Sequence, residues 1–351
     1  MEEKSNQKKL PNERYDKKLF KQAVKAAQEA KKVEEIQRRR KRLGKSLLIF
    51  ISVLSFAFVI YLVLPLFKPK SEFTISESLP NYLSYSSING EVLNGYLEKG
   101  ISVDSLKAQS VLVFNPSNGD ILFEKNAYEK KSIASITKLI SAIVILENFN
   151  LDDTVTVSLE NIPEGTTLQL GVKDGDKITV ENILKAMLIS SYNDSAYVIA
   201  NAYPYGGYNG FIKAMNRKAG MLNMKSSHFS NPAGLDQEGN YSTAFDIGIL
   251  ASVSRKYPII LDMVQRREDI VKWNSDSGLV STKVLTTNKL FDDIKYVYGL
   301  KTGNTDLAGQ CFVGYFKYSN KKELITVILN SSDRFGDTKI LEGYTRSLLK
   351  W

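Results

Sequence analysis

Ser135 and Lys138 are the first residues whose types and spacing could do chemistry. They lie three positions apart in the stretch ASITKLISA (134–142), and residues at i and i+3 share one face of a helix. A serine becomes a strong nucleophile when a base lies beside it. A lysine is a useful base only when its pKa falls well below about 10.4, and desolvation by apolar neighbours lowers it. The pair predicts a serine nucleophile activated by a lysine.

The same spacing also fits a helix that begins at Ser135 and uses the serine only as its cap. The same spacing occurs at Ser5/Lys8, in a charged tail, and at Ser319/Lys322, in a polar turn, and we interpret both as accidental. A helix N-terminus offers unpaired N–H donors, which suit an oxyanion. The position of Ser135 therefore fits both a structural and a catalytic reading.

Two further patterns complete the candidate set. Residues 191–193, Ser-Tyr-Asn, lie between two predicted helices, where a loop can project inward. Residues 301–303 form the only Lys-Thr-Gly sequence of the chain, predicted at the end of a strand. An ordinary strand followed by a turn would look the same, so each pattern alone is weak.

The elements that must position these residues follow from the hydrophobic pattern. Residues 108–126 predict a β-hairpin, residues 132–149 a long apolar helix, and the middle of the chain further helices, two of them capped by Thr179 and Asp194. Three late strands and a closing helix follow. Because late strands joined by short turns pair antiparallel, we expect an α/β (α+β) fold with one antiparallel sheet built from both ends of the domain and a mostly helical subdomain.

The net charge of +9 comes from the N-terminal tail. Residues 1–45 contain 16 Lys and Arg against 7 Asp and Glu, and the remaining 306 residues contain 31 of each sign. The predicted domain therefore has no bias toward phosphate backbones, which argues against nucleic acid as a partner. The tail is interpreted as a solvated, partly helical cytoplasmic segment, with a partner-binding or lipid-binding arm as the alternative.

Residues 46–67 are 22 residues without a charge, long enough to span a bilayer as a helix. A cleavable signal peptide is disfavoured because the preceding region is 45 residues long and no A-x-A-like site follows. The basic flank at 38–45 predicts a cytoplasmic N-terminus. We expect a single-pass membrane protein with a stalk at 68–105 and an extracytoplasmic catalytic domain at 106–351.

The small numbers of Cys and His residues exclude several kinds of site. Cys311 is the only cysteine and His228 the only histidine, so neither an intrachain disulfide nor a Cys/His zinc site can form. Cys311 is expected to be a core residue of a strand. His228 is expected to be structural, because no G-x-S-x-G sequence accompanies it. No metal or cofactor is expected.

Five longer stretches contain the three patterns and extend them. In order along the chain they resemble the D-alanyl-D-alanine carboxypeptidases of the low-molecular-mass penicillin-binding proteins, which belong to the β-lactamase and transpeptidase-like superfamily of serine enzymes. The resemblance covers about residues 105–351. The stretches are NPSNGDILFEKNAYEKKSIASITKL, LISSYNDSA, HFSNPAGLDQEGNYSTAFD, TTNKL and YGLKTGNTDLAGQCFV.

The resemblance implies a catalytic role for four residues. Ser135 is expected to be the nucleophile and Lys138 the acylation base. Ser191 is expected to pass the proton to the leaving amine, and Asn193 to hold Lys138 and the substrate amide. Whether Lys138 or Ser191 takes the first proton stays open.

The resemblance also implies a substrate-binding role for the late strand. Lys301 and Thr302 are expected to receive the terminal carboxylate of the substrate, and Gly303 to leave room for a peptide beside the strand. The backbone N–H groups of Ser135 and Asn304 are expected to form the oxyanion hole.

The sequence departs from the family pattern in three places. Ile133 stands where the family usually has Pro, and Ala233 replaces the His or Thr that is common after Asn-Pro. These enzymes often add a C-terminal β-rich domain with an amphipathic anchor, whereas this sequence ends at Trp351; we expect the N-terminal span to replace that anchor. Asn288 and Lys289 fit a family pattern near the cleft, without an assigned chemistry.

The expected function is removal of the terminal D-Ala from peptidoglycan stem peptides through a Ser135 acyl-enzyme, with β-lactams as covalent inhibitors. A DD-transpeptidase or endopeptidase acting on the same substrates is the principal alternative. A β-lactamase is less favoured, because no E-x-x-L-N segment lies between Ser191 and Lys301. A non-enzymatic wall-binding protein is less favoured because the three patterns are intact. A β-lactam sensor would need a cytoplasmic effector domain larger than the 45-residue tail.

Overall fold

The structure is a computed structural model that describes residues 105–166, 169–319 and 322–351. The predicted cytoplasmic tail, the predicted span and residues 68–104 of the predicted stalk lie outside the described residues. In the part that is described, no helix is both long and apolar enough to cross a membrane.

Five strands form the main sheet, in the order β2-β1-β9-β8-β7, and every neighbouring pair is antiparallel. The sheet therefore combines the first two strands of the domain with its last three, as the sequence predicts. The strands are β1 (Ser110–Phe114), β2 (Ile121–Lys125), β7 (Val297–Thr305), β8 (Gly309–Ser319) and β9 (Lys322–Ser331).

Helices make up most of the region between these strands. The helices are α1 (Lys138–Asn148), α2 (Val180–Leu188), α3 (Asn193–Asn201), α4 (Gly207–Met221), α5 (Ala244–Ser254) and α6 (Pro258–Gln265). Helix α1 is buried from its first residue to Ile145, so it forms the centre of the helical region rather than a surface helix. A closing helix, α7 (Arg334–Leu348), follows the main sheet.

A second antiparallel sheet, in the order β3-β4-β5-β6, was not predicted from the sequence. Its strands are β3 (Thr154–Thr156), β4 (Lys177–Thr179), β5 (Glu268–Ser275) and β6 (Gly278–Leu285). In β5 and β6 only Val271, Trp273 and Val284 are buried. Val280 is a partly buried apolar residue, and the remaining positions of this hairpin are polar or exposed, so its hydrophobic pattern is too sparse to predict a strand pair.

Three local predictions need correction. The helix predicted from residue 132 is instead a 3₁₀ turn (Ala134–Thr137) followed by α1. Asp194 does not cap α3, because the helix begins at Asn193; its carboxylate binds a neighbouring loop instead. Strand β7 continues to Thr305, so Lys-Thr-Gly lies within the strand rather than at its end. Thr179 does cap α2, accepting from Asn182 N.

Candidate active site

The 3₁₀ turn holds Ser135 in a fixed position at the start of α1. Ile133 and Ile136 are fully buried on either side of the serine and anchor the turn in the core. Ala134 has a φ of 48°, which few non-glycine residues adopt. No side chain caps the turn, and the hydroxyl oxygen of Ser135 instead lies 2.7 Å from Lys138 Nζ. The capping alternative for Ser135 is therefore wrong.

Lys138 is fully buried and is held by three oxygen atoms. Its Nζ lies 2.7 Å from Ser135 Oγ, 2.7 Å from Asn193 Oδ1 and 2.9 Å from the carbonyl oxygen of Ala233. Burial lowers the pKa of Lys138 well below its ordinary value, the positive charge of Lys301 lowers it further, and Asp194 opposes both. A buried amine with a lowered pKa is the condition for a lysine base.

The carbonyl of Ala233 is fixed by the loop 231–235. The side-chain oxygen of Asn231 accepts from the backbone N–H groups of Ala233, Gly234 and Leu235. Gly234 has a φ of 83°, and a Cβ there would lie 1.9 Å from Ala134 O. The glycine therefore allows this loop to pack directly on the Ser135 turn. The departure from the family pattern at Ala233 does not affect the contact with Lys138, because Lys138 Nζ binds the backbone oxygen of this residue and not its side chain.

The second pattern joins the first through Asn193. Ser191 lies in the connection between α2 and α3 and has a φ of 63°, an uncommon backbone conformation for serine. Asn193, the first residue of α3, directs its side-chain oxygen to Lys138 Nζ. The adjacent Asp194 is buried and accepts from Leu170 N at 2.7 Å. Burial raises the pKa of the Asp194 carboxyl, and this backbone hydrogen bond opposes the rise.

The third pattern lies on β7, the edge strand of the main sheet. Lys301 is 3% exposed, and burial followed by the charge of Arg334 lowers its pKa to about 7. Its ammonium donates a hydrogen bond to Thr302 O at 3.1 Å. The Thr302 hydroxyl pairs with that of Thr287 at 2.5 Å. The site thus contains two buried amines, one beside the serine and one on the sheet edge.

Gly303 brings the strand against the serine. A Cβ at this position would lie 2.9 Å from Ala134 Cβ and 3.0 Å from Ser135 N. A glycine is therefore needed at position 303 for the close approach of β7 to the Ser135 turn. The sequence predicts a different reason for this glycine, namely room for a bound peptide beside the strand. Asn304 follows in the strand and is exposed.

The arrangement can activate a serine and bind an anion within one cleft. Direct hydrogen bonds join Ser135, Lys138 and Asn193, and β7 brings Lys301 close enough for its charge to affect the pKa of Lys138. Ser191 lies two residues before Asn193, which contacts Lys138. Asn304 directly follows Gly303, which packs against the Ser135 turn. The roles expected for these residues stay predictions.

Comparison with known proteins identifies the family. Residues 98–333 match the D-alanyl-D-alanine carboxypeptidase family, peptidase family S11. The chain belongs to this family. The resemblance stated from the sequence is thereby confirmed.

Several known proteins resemble the chain in sequence and fold. The D-alanyl-D-alanine carboxypeptidase DacF of Bacillus subtilis is 31% identical over 63% of this chain, a match that spans only 57% of that protein. The DD-transpeptidase of Streptomyces K15 has a TM-score of 0.65 at 27% identity, covering 70% of this chain and 98% of that structure. Penicillin-binding protein D2 of Listeria monocytogenes, solved with bound cefotaxime, has a TM-score of 0.60 at 30% identity, covering 70% and 99%.

Sequence reasoning missed two groups of this S11 site. Ala233 contributes a backbone oxygen to Lys138, and a backbone oxygen has no residue-type signal. Arg334, at the start of α7, donates from Nη1 to Gly303 O at 2.6 Å and lies close enough to Lys301 to lower its pKa. Arg334 lies three residues after the end of the last strand, and this position is the one signal that would have pointed to it.

Proposed function

We propose that the protein is a serine DD-carboxypeptidase that removes the terminal D-Ala from peptidoglycan stem peptides and is acylated by β-lactams on the same serine. The observation that carries the proposal is the contact of 2.7 Å between Ser135 Oγ and Lys138 Nζ, made by a fully buried lysine. The S11 family membership supports the substrate class, and the cefotaxime complex of the Listeria relative supports the inhibitor class.

The first half of the reaction forms an ester on Ser135. With its pKa lowered, Lys138 is available as a neutral amine and accepts the hydroxyl proton. The serine oxygen bonds to the carbonyl carbon of the penultimate D-Ala, and the bond from that carbon to the terminal D-Ala nitrogen breaks. Ser191 donates its hydroxyl proton to the leaving amine and takes the proton from Lys138, which returns both groups to their starting state. Backbone N–H groups of Ser135 and Asn304 stabilise the oxyanion.

The second half of the reaction releases the shortened peptide. Water attacks the ester carbonyl carbon, the bond to Ser135 Oγ breaks, and the serine recovers its proton.

The Lys301 ammonium binds the carboxylate of the terminal D-Ala in the first half of the reaction, with Thr302 as its neighbour. An exo-acting enzyme must recognise this free terminus, and a buried cation on the sheet edge can do so.

Mass spectrometry after incubation with penicillin tests the proposal. The full-length protein should gain one adduct on Ser135 and should release D-Ala from a pentapeptide that ends in D-Ala-D-Ala. The Ser135→Ala variant should show neither, with a loss of at least about 10⁴-fold in kcat. Ser132→Ala, three residues earlier in the chain, is the matched control and should retain both. An adduct on Ser191, or undiminished labelling in Ser135→Ala, would overturn the assignment.

A DD-transpeptidase is the second candidate, favoured by the fold shared with the Streptomyces K15 enzyme. Acylation is common to both activities, so the acceptor decides between them. Addition of a D-amino acid or a second stem peptide should leave water as the main acceptor if the carboxypeptidase proposal is right. A product dominated by aminolysis would favour the transpeptidase, and cleavage of crosslinked dimers would favour an endopeptidase. Rapid turnover of penicillin, with release of the hydrolysed product from the enzyme, would indicate a β-lactamase.

We also propose that residues 46–67 anchor the protein with the catalytic domain outside the cell membrane. The uncharged run and its basic flank support this topology. In intact cells, external protease should cleave within residues 68–351 and spare residues 1–45. Deletion of residues 1–70 should yield an active fragment that no longer sediments with membranes. Continued sedimentation of that fragment with membranes would contradict a single N-terminal anchor.

A further inference from the structure

The end of β7 and the turn 306–308 that joins it to β8 are tied to a distant part of the chain by one carboxylate. The Thr305 hydroxyl donates to Asp236 Oδ1 at 2.6 Å, and the Leu307 N–H donates to Asp236 Oδ2 at 3.0 Å. The Thr305 hydroxyl also accepts from the Ala308 N–H at 3.1 Å. Both oxygens of Asp236 are therefore used, one by a side chain and one by the backbone, and hydrogen bonds to a charged group are the stronger kind.

Asp236 directly follows the loop 231–235, which already contacts the base and the nucleophile turn. The carbonyl oxygen of Ala233 lies 2.9 Å from Lys138 Nζ, and the next residue, a glycine, packs on the Ser135 turn. Three backbone N–H groups of the loop donate to one buried asparagine oxygen, which fixes its conformation. One short segment of chain thus contacts the lysine base, the serine turn and the end of β7.

The end of β7 carries Asn304, whose backbone N–H we assign with that of Ser135 to the oxyanion hole. A Cβ on Gly303 would lie 3.0 Å from Ser135 N, so the strand passes close to the serine here. Gly303 O accepts from Arg334 Nη1 at 2.6 Å. Because the C=O and N–H of one trans peptide point in opposite directions, this bond directs the Asn304 N–H away from Arg334. The next fixed point of the strand is Thr305, at its contact with the carboxylate.

We propose that Asp236 is a positioning residue of the oxyanion hole, which fixes the end of β7, and with it the Asn304 N–H, relative to the loop that holds Lys138. Asp236 acts through Thr305 and Leu307 and does not touch the substrate. The inference rests on the proposed acyl transfer at Ser135. A base and an oxyanion donor must both keep their distance from the serine, and a displacement of about 1 Å can cost 10²-fold in rate.

A positioning role differs measurably from a role in the stability of the turn alone. The oxyanion exists only after the serine has attacked, so a displaced donor weakens the transition state and leaves the binding of unreacted substrate unchanged. Local loosening of the turn would instead weaken both. The test therefore compares a ligand that forms the tetrahedral adduct with one that does not.

A peptide boronic acid that mimics the end of the stem peptide probes the oxyanion hole directly. The Ser135 oxygen bonds to boron, the hydroxyl proton passes to Lys138, and one boron-bound oxygen takes the place of the oxyanion. In the full-length Asp236→Ala variant the dissociation constant of the boronic acid should rise by about 10- to 100-fold, and kcat/KM on the pentapeptide should fall by the same factor.

Binding of the unreacted pentapeptide provides the comparison. Its affinity, measured by calorimetry in the Ser135→Ala background, should be the same with and without Asp236→Ala. Asp306→Ala removes an exposed carboxylate of the same turn and is the matched control. This control should equal wild type in boronic acid affinity, in kcat/KM and, in the Ser135→Ala background, in pentapeptide affinity.

Thr305 tests the same contact from its other side. Thr305→Val keeps the shape and removes the hydroxyl, so its loss should be of the same order as that of Asp236→Ala, whereas Thr305→Ser keeps the hydroxyl and should retain most of the activity. Combining Asp236→Ala with Thr305→Val should cost little more than either change alone, because residues that share one contact are not additive. Thermal unfolding identifies variants that fail to fold, and if Asp236→Ala is one of them, the two Thr305 variants decide.

Three results would overturn the inference alone, provided that wild type binds the boronic acid at Ser135. They are an unchanged boronic acid affinity in Asp236→Ala, an equal loss of boronic acid and pentapeptide affinity, and equal activities of Thr305→Val and Thr305→Ser. A wild-type protein that forms no adduct at Ser135 would overturn the proposed function, and the inference with it.

Discussion

Lys138 and Lys301 are two buried lysines of the same cleft, and their surroundings differ. Both have a pKa that burial lowers. Lys138 lies between the oxygen atoms of Ser135, Asn193 and Ala233, supplied by three separate segments. Lys301 donates to the carbonyl of the very next residue in its own strand. Among the described residues, Lys138 Nζ has three oxygen partners, whereas the Lys301 ammonium has one acceptor and keeps donors for a ligand.

The difference fits the two tasks that we propose for these lysines. A base must be held in one geometry against its nucleophile, so several fixed acceptors are an advantage. A carboxylate anchor must keep hydrogen-bond capacity until the substrate arrives, so few internal partners are an advantage. The two positions follow from their elements: Lys138 starts a buried helix, and Lys301 lies on an edge strand.

The largest expected effect concerns the lysine engaged by the protein. Lys138→Met keeps the buried stem but removes the base, so the rate of acylation by penicillin should fall by about 10² to 10⁴-fold. Stopped-flow labelling measures this rate. Lys130→Met, an exposed lysine nearby in the chain, should acylate at the wild-type rate. Wild-type acylation by Lys138→Met would assign the base to another group and remove the distinction between the two lysines.

The next effect concerns the lysine left for a ligand. A charge-assisted hydrogen bond contributes about 1.5–3 kcal/mol. At about 1.4 kcal/mol per decade, Lys301→Ala should lose roughly 10- to 150-fold in kcat/KM on a free-acid pentapeptide. Wild type should discriminate against the C-terminally amidated peptide, and the variant should discriminate far less. A variant that keeps the full preference for the free acid would show that Lys301 is not the carboxylate anchor.

The smallest effect is a pH dependence that separates the two lysines without a mutation. The pKa of Lys301 is lowered to about 7, so the ammonium is lost as pH rises through 7. At pH 8 about one tenth of Lys301 stays protonated, and kcat/KM on the free-acid peptide should be about tenfold below its maximum. On the acidic side of the optimum, activity should fall again where Lys138 becomes protonated, because a protonated amine cannot act as the base. The amidated peptide should lack the upper limb.

Stability measurements over the same range provide the control for this profile. A lysine with a lowered pKa binds fewer protons in the folded than in the unfolded protein between the two pKa values. For Lys301 this window runs from about 7 to its ordinary 10.5, and there its contribution to the free energy of unfolding increases with pH. Activity should therefore decline above pH 7 without a loss of stability from this group. A parallel loss of thermal stability would attribute the upper limb to unfolding.

The sequence alone determined the three patterns, the main sheet and the family. Ser135, Lys138 and Asn193 could be predicted because their residue types and short spacings carry the chemistry, and direct hydrogen bonds join them in the structure. The five main strands could be predicted because four of them are dominated by buried residues. These are local signals, and each depends on a few consecutive residues.

Only the tertiary structure decided how the patterns meet. Lys138 takes its third partner from a backbone oxygen 95 positions away, and no residue type marks such a carbonyl. Gly303 and Gly234 are required because two distant segments pack against the Ser135 turn with no space for a Cβ. The pKa of Lys301 depends on burial and on Arg334 from the closing helix. Desolvation and close approach are properties of packed surfaces, which arise only when segments far apart in the chain come together.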